Sequence, residues 1–290
     1  NKLPISKFPV SKKQQDKTGS LIVWERPVAN PEFSMYYASI DPVSEGKTTT
    51  SDSLCSIFVY KNPVEVTRQT SAGIERFVEK DKIVASWCGR YDDINKTHEQ
   101  LELIIEWYNA WTIVENNISH FINYMIAKKK QRYLVPKQQM VFLKDLGSNS
   151  RVYQEYGWKN TGTLFKSHLV SYAIEFIREE IDQELDESGN VKSTTLGVER
   201  IPDQMLLKEM LAYYPGLNVD RLVAFSALVA FAKVQQANRG YSKREERDDE
   251  NNLQKSKNLY KLKYSPFTNI GRGKGLTQKK FKKPPFRNFK

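Results

Sequence analysis

At 290 residues the chain has room for one large domain, or for a domain of roughly 200 residues with an appendage. Its hydrophobic fraction of 39% suits a globular core, no apolar run approaches the ~20 residues a membrane span requires, and the first residues lack a charged-then-apolar signal pattern; these features argue against a membrane-spanning helix and predict a soluble, cytoplasmic-type chain. The formal charge of +11 is uneven, because residues 241–290 hold 15 Lys or Arg against 5 Asp or Glu, so nearly all the basicity belongs to the C-terminal stretch.

Residues 1–18 are polar, basic and Pro-containing, which predicts an arm or linker. The chain opens on Asn and enters a structured stretch within about twenty residues, as expected of a piece of a longer protein with an N-terminal partner domain. Gly19 to Pro27 reads as a short strand closed by Pro. The run Tyr36-Tyr37-Ala38-Ser39-Ile40-Asp41 reads as a buried strand that ends on a carboxylate and turns through Pro42, Ser44 and Gly46. Ser53 to Lys61 and Ile83 to Arg90 predict two further strands, whose Cys55 and Cys88 are expected as buried free thiols. His98, His120 and His168 are isolated, so no His/Cys metal cluster is present.

Helical spacing over Thr97 to Asn109 places Leu101, Ile104, Ile105 and Tyr108 on one face. Trp111 to Val114 is a short apolar strand ending at Glu115, again a carboxylate at a strand tip. Ser119 to Lys129 predicts a helix and Tyr133 to Val135 another short strand. After a polar loop from Ser150 to Thr163, a long helix is expected over Leu164 to Glu184, then a turn at Asp186 to Asn190 and a helix over Asp203 to Tyr213. Asp220 to Ala232 is an apolar helix, buried on nearly all sides, with Asp220 in its first turn. Strands and helices interleaved in this order predict an α/β fold with a mixed sheet.

Three acids stand out by context: Asp41 and Glu115 at strand ends and Asp220 opening a buried helix. Carboxylates that converge on one sheet edge repel one another unless cations intervene, and an oxygen-only set selects hard ions such as Mg²⁺ or Mn²⁺. The segment Ser44-Glu45-Gly46-Lys47-Thr48 imitates a Walker A ending but lacks the earlier Gly, since Asp41 and Pro42 stand where it would be. The tail after residue 240 interleaves its charge with Tyr260, Tyr264, Phe267, Phe281, Phe286 and Phe289, a composition that packs poorly and suits phosphate contact with base stacking.

The series Ile22-Val23-Trp24-Glu25, Ala38-Ser39-Ile40-Asp41-Pro42 with Gly46 and Asp52, Val114-Glu115-Asn116-Asn117, Gly157-Trp158-Lys159-Asn160-Thr161 and Val219-Asp220-Arg221-Leu222 resembles, in order and spacing, the nuclease domain of a tailed-bacteriophage terminase large subunit. The resemblance covers residues about 19 to 235 and implies a ribonuclease H-like fold, a mixed central sheet flanked by helices over 19–240, with a basic, largely disordered tail over 241–290. It further implies a metal-dependent endonuclease that cuts concatemeric double-stranded viral DNA during genome packaging with two Mg²⁺ or Mn²⁺ ions. On matching positions Asp41, Glu115 and Asp220 would be the catalytic, metal-binding acids, with Asp52 a further acid beside them. Lys159 and Lys166, with Lys279, Lys280, Lys282 and Lys283 of the tail, would contact nucleic acid. The implied partners are double-stranded DNA, an N-terminal ATPase motor domain of the same protein, the portal and the small terminase subunit, in the cytoplasm of the infected bacterial host. Where the family often has paired aspartates before the last helix, this chain has Asp220-Arg221. The alternatives are another ribonuclease H-like nuclease of resolvase or integrase type, or a non-catalytic DNA-binding packaging module.

Overall fold

The structure, a computed structural model, describes residues 10–13, 16–46, 52–70, 73–140, 156–159, 163–186, 188–214 and 217–248. The tail lysines 279, 280, 282 and 283 lie outside the described residues. The elements in order are β1 (Ile22–Val23), β2 (Tyr36–Asp41), β3 (Cys55–Lys61), β4 (Val64–Thr70), β5 (Gly73–Glu79), β6 (Lys82–Gly89), α1 (Ile94–Tyr108), β7 (Trp111–Val114), α2 (His120–Ala127), α3 (Thr163–Arg178), β8 (Glu180–Leu185), β9 (Val191–Leu196), α4 (Gln204–Ala212) and α5 (Asp220–Asp248). No described helix is long and apolar enough to cross a membrane.

A five-stranded mixed sheet in the order β1-β6-β3-β2-β7 organises the core, and helices flank it. β1, β6, β3 and β2 pair antiparallel with their neighbours, whereas β7 runs parallel to β2, with Ile40 opposite Val114. The parallel step needs a crossover, and α1 supplies it between β6 and β7.

The two-residue period of β2 assigns its faces. Tyr36, Ala38 and Ile40 join Leu101, Ile104, Ile105 and Tyr108 of α1 and Phe121 and Met125 of α2 in one core. Tyr37 points the other way, into a second core with Phe58, Tyr60 and Ile83, against Leu169 of α3 and Phe225, Leu228 and Phe231 of α5. The Tyr37 and Phe231 rings meet edge to face with centroids 5.0 Å apart. Both faces are therefore dry, which is why β2 reads as a continuous apolar run.

Helix ends follow local chemistry. Asp93 caps α1 by accepting the Asn95 N–H at 2.9 Å, and Asn109 closes the helix in the left-handed region at φ 48°. Asp203 caps α4 through the Met205 and Leu206 N–H groups and also accepts the Ser86 hydroxyl at 2.7 Å, which ties that cap to β6. Cys55 and Cys88 are buried free thiols as expected, and burial pushes the Cys88 thiol up to about 12.

Four sequence expectations change. The long helix expected to reach Glu184 stops at Arg178, and Glu180–Leu185 instead pairs antiparallel with Val191–Leu196 around a turn in which the Asp186 carboxylate accepts the Ser188 and Asn190 N–H groups. A second hairpin, β4 with β5, occupies a stretch for which no element was expected. The strand expected at Tyr133 to Val135 is a single parallel bridge from Leu134 to Thr112 after a 3₁₀ turn at Gln131–Tyr133. Lastly, the segment expected to be an arm packs on the core from Val10 onward. Val10 is buried with Leu54 and Cys88, and the Lys17 carbonyl accepts the Arg90 N–H at 2.6 Å.

Candidate active site

The side-chain period that sends Tyr37 toward α5 sends Asp41, four residues on, to the same face at the end of β2. On β7 the period sends Ile113 and then Glu115 to that face as well. The Glu115 N–H bonds the Ile40 carbonyl at 2.9 Å, so the parallel register carries one residue past the strand and sets the two carboxylates side by side. α5 begins against this sheet end, placing Asp220 in its first turn. A cavity of about 390 Å³ results, lined by Asp41, Glu115 and Asp220 and bordered by Arg90, Lys166 and Asn218. The three acids singled out from the sequence are thus brought together on one cavity, from three elements.

Their environments differ. Burial, then the negative charges of Glu115 and Asp220, push the Asp41 carboxyl well above the usual carboxylate range, and its hydrogen bond to Glu115 acts in the same direction. Asn117 donates to Glu115 Oε1 at 2.6 Å, a further bond on that carboxylate. Asp220, 4% exposed, accepts the Leu54 N–H on Oδ2 at 2.9 Å and takes the Lys12 ammonium on the same oxygen at 2.9 Å. Arg90 pins the loop beyond β2 by donating from Nε to the Gly46 carbonyl at 2.5 Å and from Nη1 to the Ser53 carbonyl at 3.2 Å.

The donor chemistry, three carboxylates with no sulfur or imidazole, suits hard divalent ions. As they stand, however, no group of three His, Cys, Asp or Glu side chains among the described residues forms a set that could hold a metal ion. Lys12 and the Leu54 amide engage Asp220, while Asp41 and Glu115 bond each other.

No family model matches the chain, and no curated protein matches it.

The other residues expected at the site are dispersed. Asp52 does not line the cavity; its side chain is 80% exposed and pairs with Lys17 at 2.7 Å, and that hydrogen bond holds its carboxyl below the usual range. Lys166 borders the cavity and donates to the Leu217 carbonyl at 3.0 Å. Lys159 is exposed beyond Trp158 and does not border it. Lys12, Arg90 and Asn218 were not legible as site residues, since none lies in a motif and each arrives through long-range packing. Arg221, where paired aspartates were the comparison, turns away from the cavity to Glu209 and the Val10 carbonyl.

Behind Glu115 the Gly157-Trp158 segment forms a backing strip. Trp158 N–H bonds the Val114 carbonyl at 3.0 Å, and the Trp158 carbonyl accepts the Asn116 N–H at 2.5 Å. Gly157 permits this closeness: its φ is +80°, and a Cβ there would lie 2.7 Å from Asn116 Cβ and 2.9 Å from the Val114 carbonyl oxygen. Gly157→Ala is therefore expected to destabilise the protein by about 1–3 kcal/mol and to displace Glu115. Thermal denaturation checks this, and an unchanged melting temperature would show that the strip is not pinned.

Proposed function

We propose that the chain is a metal-dependent endonuclease of ribonuclease H-like type acting on double-stranded DNA. The observation that carries this reading is the convergence of Asp41, Glu115 and Asp220, from two parallel strand ends and a helix start, on one cavity with an open side. The sheet supports it: inside the short edge strand β1, the antiparallel strands β6-β3-β2 with β7 added parallel to β2, reached by a helical crossover, follow the order a ribonuclease H-like core uses.

Asp41, Glu115 and Asp220 would hold two Mg²⁺ or Mn²⁺ ions, which when bound supply an activated water and charge neutralisation at the scissile phosphate. The chain's own residues fix the donor set: β2 and β7 set Asp41 and Glu115 in register, Asn117 orients Glu115, and the Leu54 amide orients Asp220. Lys166 lies at the cavity edge, where a cation suits a DNA phosphate. The basic tail, including Lys279, Lys280, Lys282 and Lys283, and exposed Lys159 would add phosphate contacts of the salt-sensitive kind.

The ordered motifs extend the proposal to the nuclease part of a phage terminase large subunit. It would cut concatemeric DNA in the cytoplasm of an infected bacterium, together with an ATPase motor domain, the portal and the small subunit.

Incubation of the purified chain with supercoiled plasmid and Mg²⁺ or Mn²⁺ tests the reading. Conversion to nicked and linear DNA that EDTA prevents is the expected result. Intact plasmid bound by the protein would instead favour a non-catalytic packaging module.

A further inference from the structure

Resting on the metal-dependent reading above, we propose that Lys12 is a tethered counter-ion, a side chain of the chain itself that occupies the cation position at Asp220 and holds the cavity in a metal-rejecting state. Its ammonium lies 2.9 Å from Asp220 Oδ2 and donates to the Asn218 carbonyl at 2.7 Å, at the cavity's helix end. Its positive charge also lowers the Asp41 carboxyl, so it acts on the acid pair as well as on Asp220.

The tether is built rather than incidental. Val10, two residues before Lys12, is 3% exposed in a small apolar cluster with Leu54 and Cys88. Its carbonyl accepts Arg221 Nη2 at 2.5 Å. Arg221 follows Asp220 directly, so one helical turn holds both the acid and the anchor of the segment that supplies its counter-charge. Leu54 completes the arrangement: its side chain packs on Val10 while its N–H bonds the Asp220 oxygen that Lys12 also engages. An ammonium of charge +1 on a long side chain neutralises one carboxylate, and a divalent ion entering beside it meets a like charge a few ångströms away. A metal therefore binds only as Lys12 withdraws. Metal affinity then becomes a property of where the 10–12 segment sits, and whatever pulls on that segment sets whether the site is loaded.

Mn²⁺ titration calorimetry on the full chain tests this, with Lys12→Met, Lys12→Arg and Asp41→Asn alongside wild type. Lys12→Met is expected to bind Mn²⁺ about tenfold more tightly than wild type, because a single like-charge contact is removed. Lys12→Arg, which keeps the charge, should stay near wild type. In melting experiments Lys12→Met should be less stable than wild type in EDTA, where Asp220 loses its counter-charge, and should gain more from Mn²⁺. If Lys12→Met does not fold, Lys12→Gln, which keeps a hydrogen-bonding head without the charge, carries the same comparison. Equal or weaker Mn²⁺ binding by the neutral variant overturns the counter-ion role while leaving the nuclease reading intact. Wild-type Mn²⁺ binding that Asp41→Asn does not weaken would overturn the metal reading itself, and this inference with it.

Discussion

Asp41→Asn is expected to lose metal-dependent cleavage while keeping its fold and gaining stability near neutral pH. Removing a group that merely supports a metal ligand lowers activity by about 10–100-fold, so removing the ligand carboxylate should lower cleavage by about a hundredfold or more. The stability change has a definite pH window. Burial, with Glu115 and Asp220, raises the Asp41 carboxyl above its unfolded value, so the fold favours the protonated acid. That contribution is fully present below the unfolded aspartate value of about 3.9 and is lost as pH rises through the elevated folded value. Asparagine does not titrate. Metal-free wild type and variant should therefore match in strongly acidic solution and diverge as pH rises, with the variant the more stable at about pH 8. Plasmid cleavage and urea unfolding in EDTA measure the two halves. A variant that cuts at the wild-type rate, or is the less stable at the alkaline end, would refute the assignment of Asp41.

Arg221→Met should be the most destabilising polar-to-apolar change in the site's surroundings, at about 3–5 kcal/mol. Arg221 is 2% exposed; its Nη1 bonds Glu209 Oε1 at 3.1 Å and its Nη2 bonds the Val10 carbonyl. Glu209 in turn accepts the N–H groups of Arg221 at 3.1 Å and Leu222 at 3.3 Å, satisfying first-turn donors of α5 that otherwise have no intrahelical partner. Methionine fills similar volume but leaves Glu209 without its counter-charge and frees the Val10 carbonyl. Chemical denaturation should show the loss, and limited proteolysis should show earlier cleavage near residues 10–18. A change below about 1 kcal/mol would place this pair among those that merely offset their own desolvation.

The core was legible where side-chain period and burial agree. Tyr36 to Asp41 and Trp111 to Val114 are apolar on both faces because helices cover both, and their terminal acids stand out against that background. Leu101, Ile104, Ile105 and Tyr108 repeat at helical spacing and face one core. The β4–β5 hairpin was poorly legible although Val64, Val66 and Thr67 and then Ile74, Phe77 and Val78 favour strands; interspersed Glu, Arg and Gln blur the apolar pattern, and the two strands pair only with each other. The stretch up to Glu184 reads as helix because Ile181 continues the apolar spacing of Ile174 and Ile177; the Asp186 turn overrides that pattern by returning the chain onto Val191–Leu196. At the site, Asp41, Glu115 and Asp220 end or open regular elements, which sequence reading locates. Lys12 sits in a polar stretch whose order depends on Val10 packing against distant Leu54 and Cys88, and no local pattern records such contacts.

The helix that closes the cavity is also the last described element of the chain, and the bonds at its start span 166 residues from Asp220 to Leu54 and 206 residues from Asn218, just ahead of the helix, to Lys12. During synthesis the sheet and its first helices emerge from the ribosome well before Asp220 does. A nascent chain therefore carries Asp41 and Glu115 without their third acid, and Lys12 without its partner. The candidate site comes into being in a single late step, when α5 docks, so a truncated or stalled product would lack the three-acid cavity altogether.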